Sequence, residues 1–218
     1  MAPLRVLCVH GYRQCGASFR DKTGALRKLL KKQVELVYVD APHCVVQVQE
    51  NDVGSDAGGD QDCRGWWFSD PQAQTFSAQQ QCEESSGLEE SVAVVREAVK
   101  LQGPFDGILG FSQGAALVAM LCALQEQNAE PDFHFRFAVL VAAFCSACTQ
   151  HHKFYSAPVQ MPSLHVFGLE DRVIPDSMSR ELLPCFRDPH ILTHPGGHFV
   201  PAASAHRQTY QNFLEAFQ

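Results

Sequence analysis

Strand-length apolar runs punctuate this chain at Leu4–Val9, Val34–Val39, Gly107–Leu109, Phe137–Ala142, Leu164–Phe167 and His190–Thr193. The stretches between most of them carry helical periodicity. Leu26, Leu29 and Leu30 mark one amphipathic helix and Leu88, Val92, Val95 and Val99 a second, while Ala115–Leu124 is apolar on every side. Met178, Leu182 and Phe186 continue at helical spacing, and Tyr210, Phe213, Leu214 and Phe217 give the last helix an i, i+3, i+4, i+7 face. Strand alternating with helix predicts a mostly parallel sheet of about six strands with helices on both faces, an α/β architecture.

One segment breaks the rhythm. Residues 41–87 read as an insertion, and their middle, Asn51 to Asp60, is acidic and glycine-rich with no apolar period. The insertion leaves the carboxyl end of a strand, where ligands bind in open α/β sheets. Such a position suits a partial lid, and a surface loop without function is the alternative. With 218 residues and 45% hydrophobic composition, the chain has a core large enough for one domain spanning 1–218 and little room for another.

Charge supplies no macromolecular partner. A net charge of -7, with no dense Lys/Arg run beyond Lys31-Lys32, argues against nucleic acid and anionic membrane surfaces. The apolar run at Leu4 breaks at His10-Gly11, too short for a membrane span and without the flanks of a signal peptide. Nine scattered cysteines do not resemble the disulfide framework of a small secreted domain. Reduced thiols and a cytoplasmic location, extending to the nucleus, are the expectation. Nothing in the sequence sets the oligomeric state.

The candidate chemistry centres on Gly110-Phe111-Ser112-Gln113-Gly114, which follows an apolar run and opens the Ala/Leu-rich helix. G-x-S-x-G occurs by chance in roughly one chain in fifteen of this length, so its context carries the weight. Strand, sharp turn, helix is the setting of a nucleophile elbow. A serine hydroxyl needs a base to remove its proton and a carboxylate to hold that base in the right tautomer. In chain order, nucleophile then acid then histidine, Asp171 follows one strand-like run and His198 follows the next. Glu170 and Asp176 compete with Asp171 as the acid, and His194 and His206 compete with His198. His10 precedes the serine, so it is read as organising its loop. The oxyanion formed during acyl transfer needs two N–H donors, assigned to the backbone of Gln113 and, from the first loop, of Tyr12.

Trp66, Trp67 and Phe68 in the insertion, with Phe144 and Phe199 at other strand ends, are candidates to line an apolar acyl pocket; core packing is the competing reading. Cys145-Ser146-Ala147-Cys148 has redox spacing but follows the fourth strand rather than the first of a thioredoxin-like unit, and the adjacent His151-His152 lack zinc-finger spacing. A metal site is therefore not expected. Neither a P-loop nor a G-x-G-x-x-G fingerprint is present, so no nucleotide cofactor is expected.

His10-Gly11-Tyr12-Arg13-Gln14, Trp66-Trp67, the run from Gly103 to Ala115 and Gly196-Gly197-His198 together make the chain resemble the FSH serine hydrolase family of the α/β-hydrolase superfamily. That resemblance spans nearly the whole chain. It implies a cofactor-free esterase or thioesterase with Ser112, Asp171 and His198 as its triad. The expected reaction is hydrolysis of small hydrophobic, long-chain acyl esters through an acyl-enzyme. Acyl thioester hydrolysis, including protein deacylation, is the alternative, and a non-catalytic binding protein on a hydrolase fold is the rival from another class.

Overall fold

The structure is a computed structural model that describes residues 2–46 and 62–218. A six-stranded sheet in the order β2-β1-β5-β6-β7-β8 forms its centre. The strands are β1 (Leu4–Val9), β2 (Val34–Val39), β5 (Gly107–Phe111), β6 (Phe137–Val141), β7 (Ser163–Gly168) and β8 (His190–His194). Every neighbouring pair among them is parallel. Each strand falls on a run anticipated from the sequence. β3 (His43–Cys44) and β4 (Arg64–Gly65) form a separate antiparallel pair inside the insertion, where no apolar period marks a strand.

Alternation along the strands sends helices to opposite faces. Val6, Leu109, Val139 and Leu164 meet Leu26 and Leu30 of α2 (Gly24–Leu30) and Phe213 and Leu214 of α6 (Arg207–Glu215). Gly110, one residue on from Leu109, turns to the other face, where a Cβ would lie 2.6 Å from the Ala115 Cα of α4 (Gln113–Glu126). Helix α4 is buried continuously from Gln113 to Ala123, as its all-apolar sequence requires. The turn at Ser112 is thus anchored on an element that cannot shift without opening the core.

Some boundaries differ from the periodicity. The helix marked by Leu26, Leu29 and Leu30 is α2, and across Thr23 it is preceded by α1 (Gly16–Lys22), which the apolar spacing did not mark. Helix α3 covers Leu88–Gln102. The spacing that extended a helix to Phe186 is interrupted at Pro184, so α5 ends at Leu182 and a 3-10 turn covers Leu183–Cys185. Ala142 leaves the sheet at φ 52° and does not extend β6.

The insertion docks through a polar clamp. The side-chain amide of buried Gln113 accepts from the Trp66 backbone N–H at 2.9 Å and donates to the Trp67 carbonyl at 2.8 Å. Trp66 Nε1–H donates in turn to the His10 carbonyl at 2.7 Å. Acidic residues 51–60, the proposed heart of a lid, lie outside the described residues.

Two stability predictions follow from buried polar groups. Gln113→Ala leaves the Trp66 N–H and Trp67 carbonyl without their partners and should cost roughly 2–4 kcal/mol, read from the urea unfolding midpoint; a loss below 0.5 kcal/mol contradicts the clamp. His165 is buried in β7 against Phe186, and burial holds its pKa down to about 3. Below its unfolded value near 6.5 the unfolded chain takes up a proton that the native imidazole does not, so native stability is lost as pH falls. Between pH 7 and 5 this histidine alone should account for about 2 kcal/mol. The same comparison on His165→Gln should show a correspondingly flatter profile, and an equally steep one would disprove the assignment.

Candidate active site

Ser112 sits between β5 and α4 at φ 54°, ψ -121°, a strained conformation for a residue with a side chain. Its N–H donates to the Val141 carbonyl at 2.9 Å, and its carbonyl receives the Ala116 N–H at 3.0 Å, which locks the turn between sheet and helix. The two glycines are steric necessities. A Cβ on Gly110 would lie 2.5 Å from the Gly114 carbonyl oxygen, and one on Gly114 would lie 2.3 Å from the carbonyl oxygens of both Val9 and His10. Ser112 keeps 8% of its surface at the sheet's carboxyl edge.

The acid and histidine loops leave β7 and β8 side by side. Asp171 Oδ1 receives the N–H groups of Val173 at 2.9 Å and Ile174 at 2.8 Å, turning Oδ2 to His198 Nδ1 at 2.7 Å. A carboxylate only accepts, so Nδ1 carries the proton and the lone pair lies on Nε2. Backbone bonds from Leu169 N–H to the His194 carbonyl at 2.9 Å and from Glu170 N–H to Gly196 at 3.1 Å lace the two loops together. A Cβ on Gly168 would collide with the carbonyls of Gly196 and Gly197. The imidazole lies against the Phe111 ring at 4.7 Å, beside Ser112, although among the described residues no hydrogen bond joins it to Ser112 Oγ. Such bonds are often long before substrate arrives.

The competing acids and bases are occupied elsewhere. Glu170 is exposed, and Asp176 pairs with Arg180 one helical turn away at 3.0 Å. Buried His194 receives the Gly196 N–H at 3.3 Å and packs on Phe199, while His206 lies beyond it. His10 is fully buried. Its Nδ1–H donates to the Gly11 carbonyl at 2.8 Å, and Nε2 accepts from the Ala41 N–H at 3.0 Å, which requires the neutral ring. Burial lowers its pKa in keeping with that tautomer. It holds the first loop to the start of the insertion, as chain order suggested.

In that first loop the Gly11 N–H is taken by Gln14 Oε1 at 2.8 Å, Arg13 N–H by the Arg64 carbonyl at 2.8 Å and Gln14 N–H by Gly11 at 3.2 Å. Tyr12 N–H is left with no acceptor among the described residues. So is Gln113 N–H, at the start of α4, where the first turn of any helix lacks intrahelical acceptors. Both N–H groups assigned from the sequence are thus among those without an acceptor among the described residues.

A cleft of about 330 Å³ opens beside His198. Phe19, Phe111, Phe199 and Val200 form its apolar walls, with Gln14 and Lys22 as its polar members. Of the five aromatics considered for a pocket, only Phe199, 50% exposed, borders this cleft. Trp66 and Trp67 are buried at 0% and 1% and Phe68 is buried beside them; Trp67 and Phe144 meet at a separate void of about 10 Å³. Sequence reasoning singled out neither Phe19, which a helical pattern presents as plain core, nor Gln14 and Lys22, which read as solvated polar positions. A larger groove of about 810 Å³, near the start of α3 and Lys153, is bordered by none of Ser112, Asp171 or His198.

Residues 1–210 match the model of the family described as serine hydrolase (FSH1). Esterase OVCA2 of Danio rerio is 66% identical, covering 99% of this chain and 98% of that protein; Esterase OVCA2 of Homo sapiens is 47% identical, covering 99% and 97%. Among solved structures, Zea mays acyl-protein thioesterase 2 superposes with a TM-score of 0.68 at 15% identity, over 98% of this chain and 95% of that one. Esterase PE8 does so at 0.66 and 19%, over 100% and 94%. The solved structures establish the α/β-hydrolase fold and the sequence relatives the lineage: this chain belongs to the FSH1 serine hydrolase family.

Proposed function

We propose that this protein hydrolyses carboxylic esters of apolar, long-chain acyl groups through a Ser112–His198–Asp171 triad and an acyl-enzyme. The observation that supports the reading is the 2.7 Å Asp171–His198 bond on loops laced together at the strand ends, with Ser112 held in a strained turn at the end of β5. Asp171 fixes the tautomer that leaves Nε2 free to take the Ser112 proton as Oγ attacks the acyl carbonyl. The Tyr12 and Gln113 N–H groups receive the oxygen as it becomes negative, reinforced by the positive end of α4. His198 then protonates the departing alcohol. Water enters by the same path reversed, His198 takes its proton, and Ser112 is restored as the carboxylic acid leaves.

The 330 Å³ cleft supports an apolar acyl group, since Phe19, Phe111 and Phe199 offer rings and no charge to an alkyl chain. Each buried methylene contributes about 0.8 kcal/mol, so kcat/KM should climb with chain length until the cleft is filled.

Turnover of p-nitrophenyl esters of two to sixteen carbons at neutral pH tests the reading. Wild type should turn over all of them with a preference that rises with length. Ser112→Ala should lose turnover and labelling by a fluorophosphonate probe together. Asp171→Asn should lower kcat by about four orders of magnitude by losing the productive tautomer. Labelling that survives Ser112→Ala would refute the nucleophile, and near-normal rates in Asp171→Asn would refute the acid. Folded wild type inert toward every ester but active on acyl thioesters would replace the ester reading with the thioester one.

A further inference from the structure

The Cys145-Ser146-Ala147-Cys148 segment turns its two cysteines toward different neighbours. Cys145, at the exit of β6, has its thiol 4.0 Å from the Glu181 carbonyl of α5 and interacts with the thiol of Cys185, the last residue of the following 3-10 turn. Cys148 faces the insertion. It is the partner of Cys82 in a parallel β-bridge, the Thr149 N–H donates to the Cys82 carbonyl at 2.8 Å, and the two thiols interact. Bridged neighbours lie about 5 Å apart, inside the Cα separation that a disulfide spans. Between the two cysteines, Ser146 is fixed by its hydroxyl to His151 Nδ1 at 2.6 Å, which holds the segment in this divergent orientation.

We propose that Cys145 with Cys185, and Cys148 with Cys82, are two oxidisable dithiols that a hydroperoxide converts to disulfides, stapling residues 145–148 to the end of α5 on one side and to the insertion on the other. The Cys185 thiolate attacks a peroxide oxygen, the O–O bond breaks, and the departing oxygen leaves as water or alcohol after taking up a proton. Cys185 is then a sulfenic acid. Cys145 Sγ attacks that sulfur, the S–S bond forms as S–O breaks, and the hydroxide leaves as water with the Cys145 proton. Two thiols supply two electrons and one peroxide accepts them, so the step balances. The same sequence closes Cys82 and Cys148.

The two pairs differ in readiness. The Cys145 thiol lowers the Cys185 thiol from its ordinary value against the opposing effect of burial, which favours attack by Cys185. Cys82 is pushed up to about 11 by burial and by its interaction with Cys148. Cys145, Cys185 and Cys82 are each partly exposed, whereas Cys148 is buried and suits the resolving role. The proposal stands apart from the hydrolytic reading, because none of the four cysteines borders the cleft beside His198.

The test is titration of the full-length reduced protein with hydrogen peroxide at pH 7, followed by alkylation and non-reducing peptide mapping by mass spectrometry. The Cys145–Cys185 cross-link should form first, at least tenfold faster than Cys82–Cys148, and both should reopen with dithiothreitol. Cys185→Ser should remove only the first cross-link and Cys82→Ser only the second. A dominant Cys145–Cys148 cross-link would overturn the proposal. So would four cysteines that stay alkylatable after several equivalents of peroxide, in protein whose circular dichroism remains native.

Discussion

The turn at Ser112 is the constraint around which the other parts are arranged. It places a residue with a side chain at positive φ, and it brings α4 so close to β5 and to the end of β1 that only glycine fits at 110 and 114. Strain of this kind, on the order of 1–3 kcal/mol, persists only where the surroundings over-determine it. Here they do: the helix that follows is buried along eleven consecutive residues and the strand before it is central in the sheet. A poorly packed α4 would relax the turn and lower the hydroxyl from the sheet edge.

The insertion belongs to that same structural unit. Gln113 contributes its backbone N–H to the helix start and its side chain to the two tryptophans, so one residue links the insertion to the elbow. Trp66 extends the link to His10, and His10 reaches Ala41 at the insertion's other end. The first loop is thereby held from both sides, with the Tyr12 amide left without an acceptor among the described residues. In this fold the aromatic block is buried core that supports the first loop.

The sheet was legible because its central strands are apolar runs buried on both faces, and most helices because their stripes repeat at 3.6 residues. The meeting of Asp171 and His198 was legible because chain order and strand ends restrict where such groups come together. Other features depend on contacts that no local pattern encodes. Trp66 and Trp67 look the same in a sequence whether they line a pocket or fill a core, and only their burial under Gln113 separates the two. β3 and β4 pair across a segment with no apolar alternation, held by backbone bonds in which side-chain hydropathy has no part. The divergent aim of Cys145 and Cys148 likewise depends on Ser146 and His151, whose meeting is tertiary.

The contact of Gly168 with the carbonyls of Gly196 and Gly197 has a mechanical meaning. With no side chain between them and backbone bonds on either hand, the strand ends carrying Asp171 and His198 behave as one rigid jaw. The opposite jaw is built from the Gly11–Gln14 loop and α1, which bring Gln14, Phe19 and Lys22 to the cleft. Substitutions in the second jaw and at Phe199 can therefore remodel the cleft while the Asp171–His198 bond of the first stays unchanged.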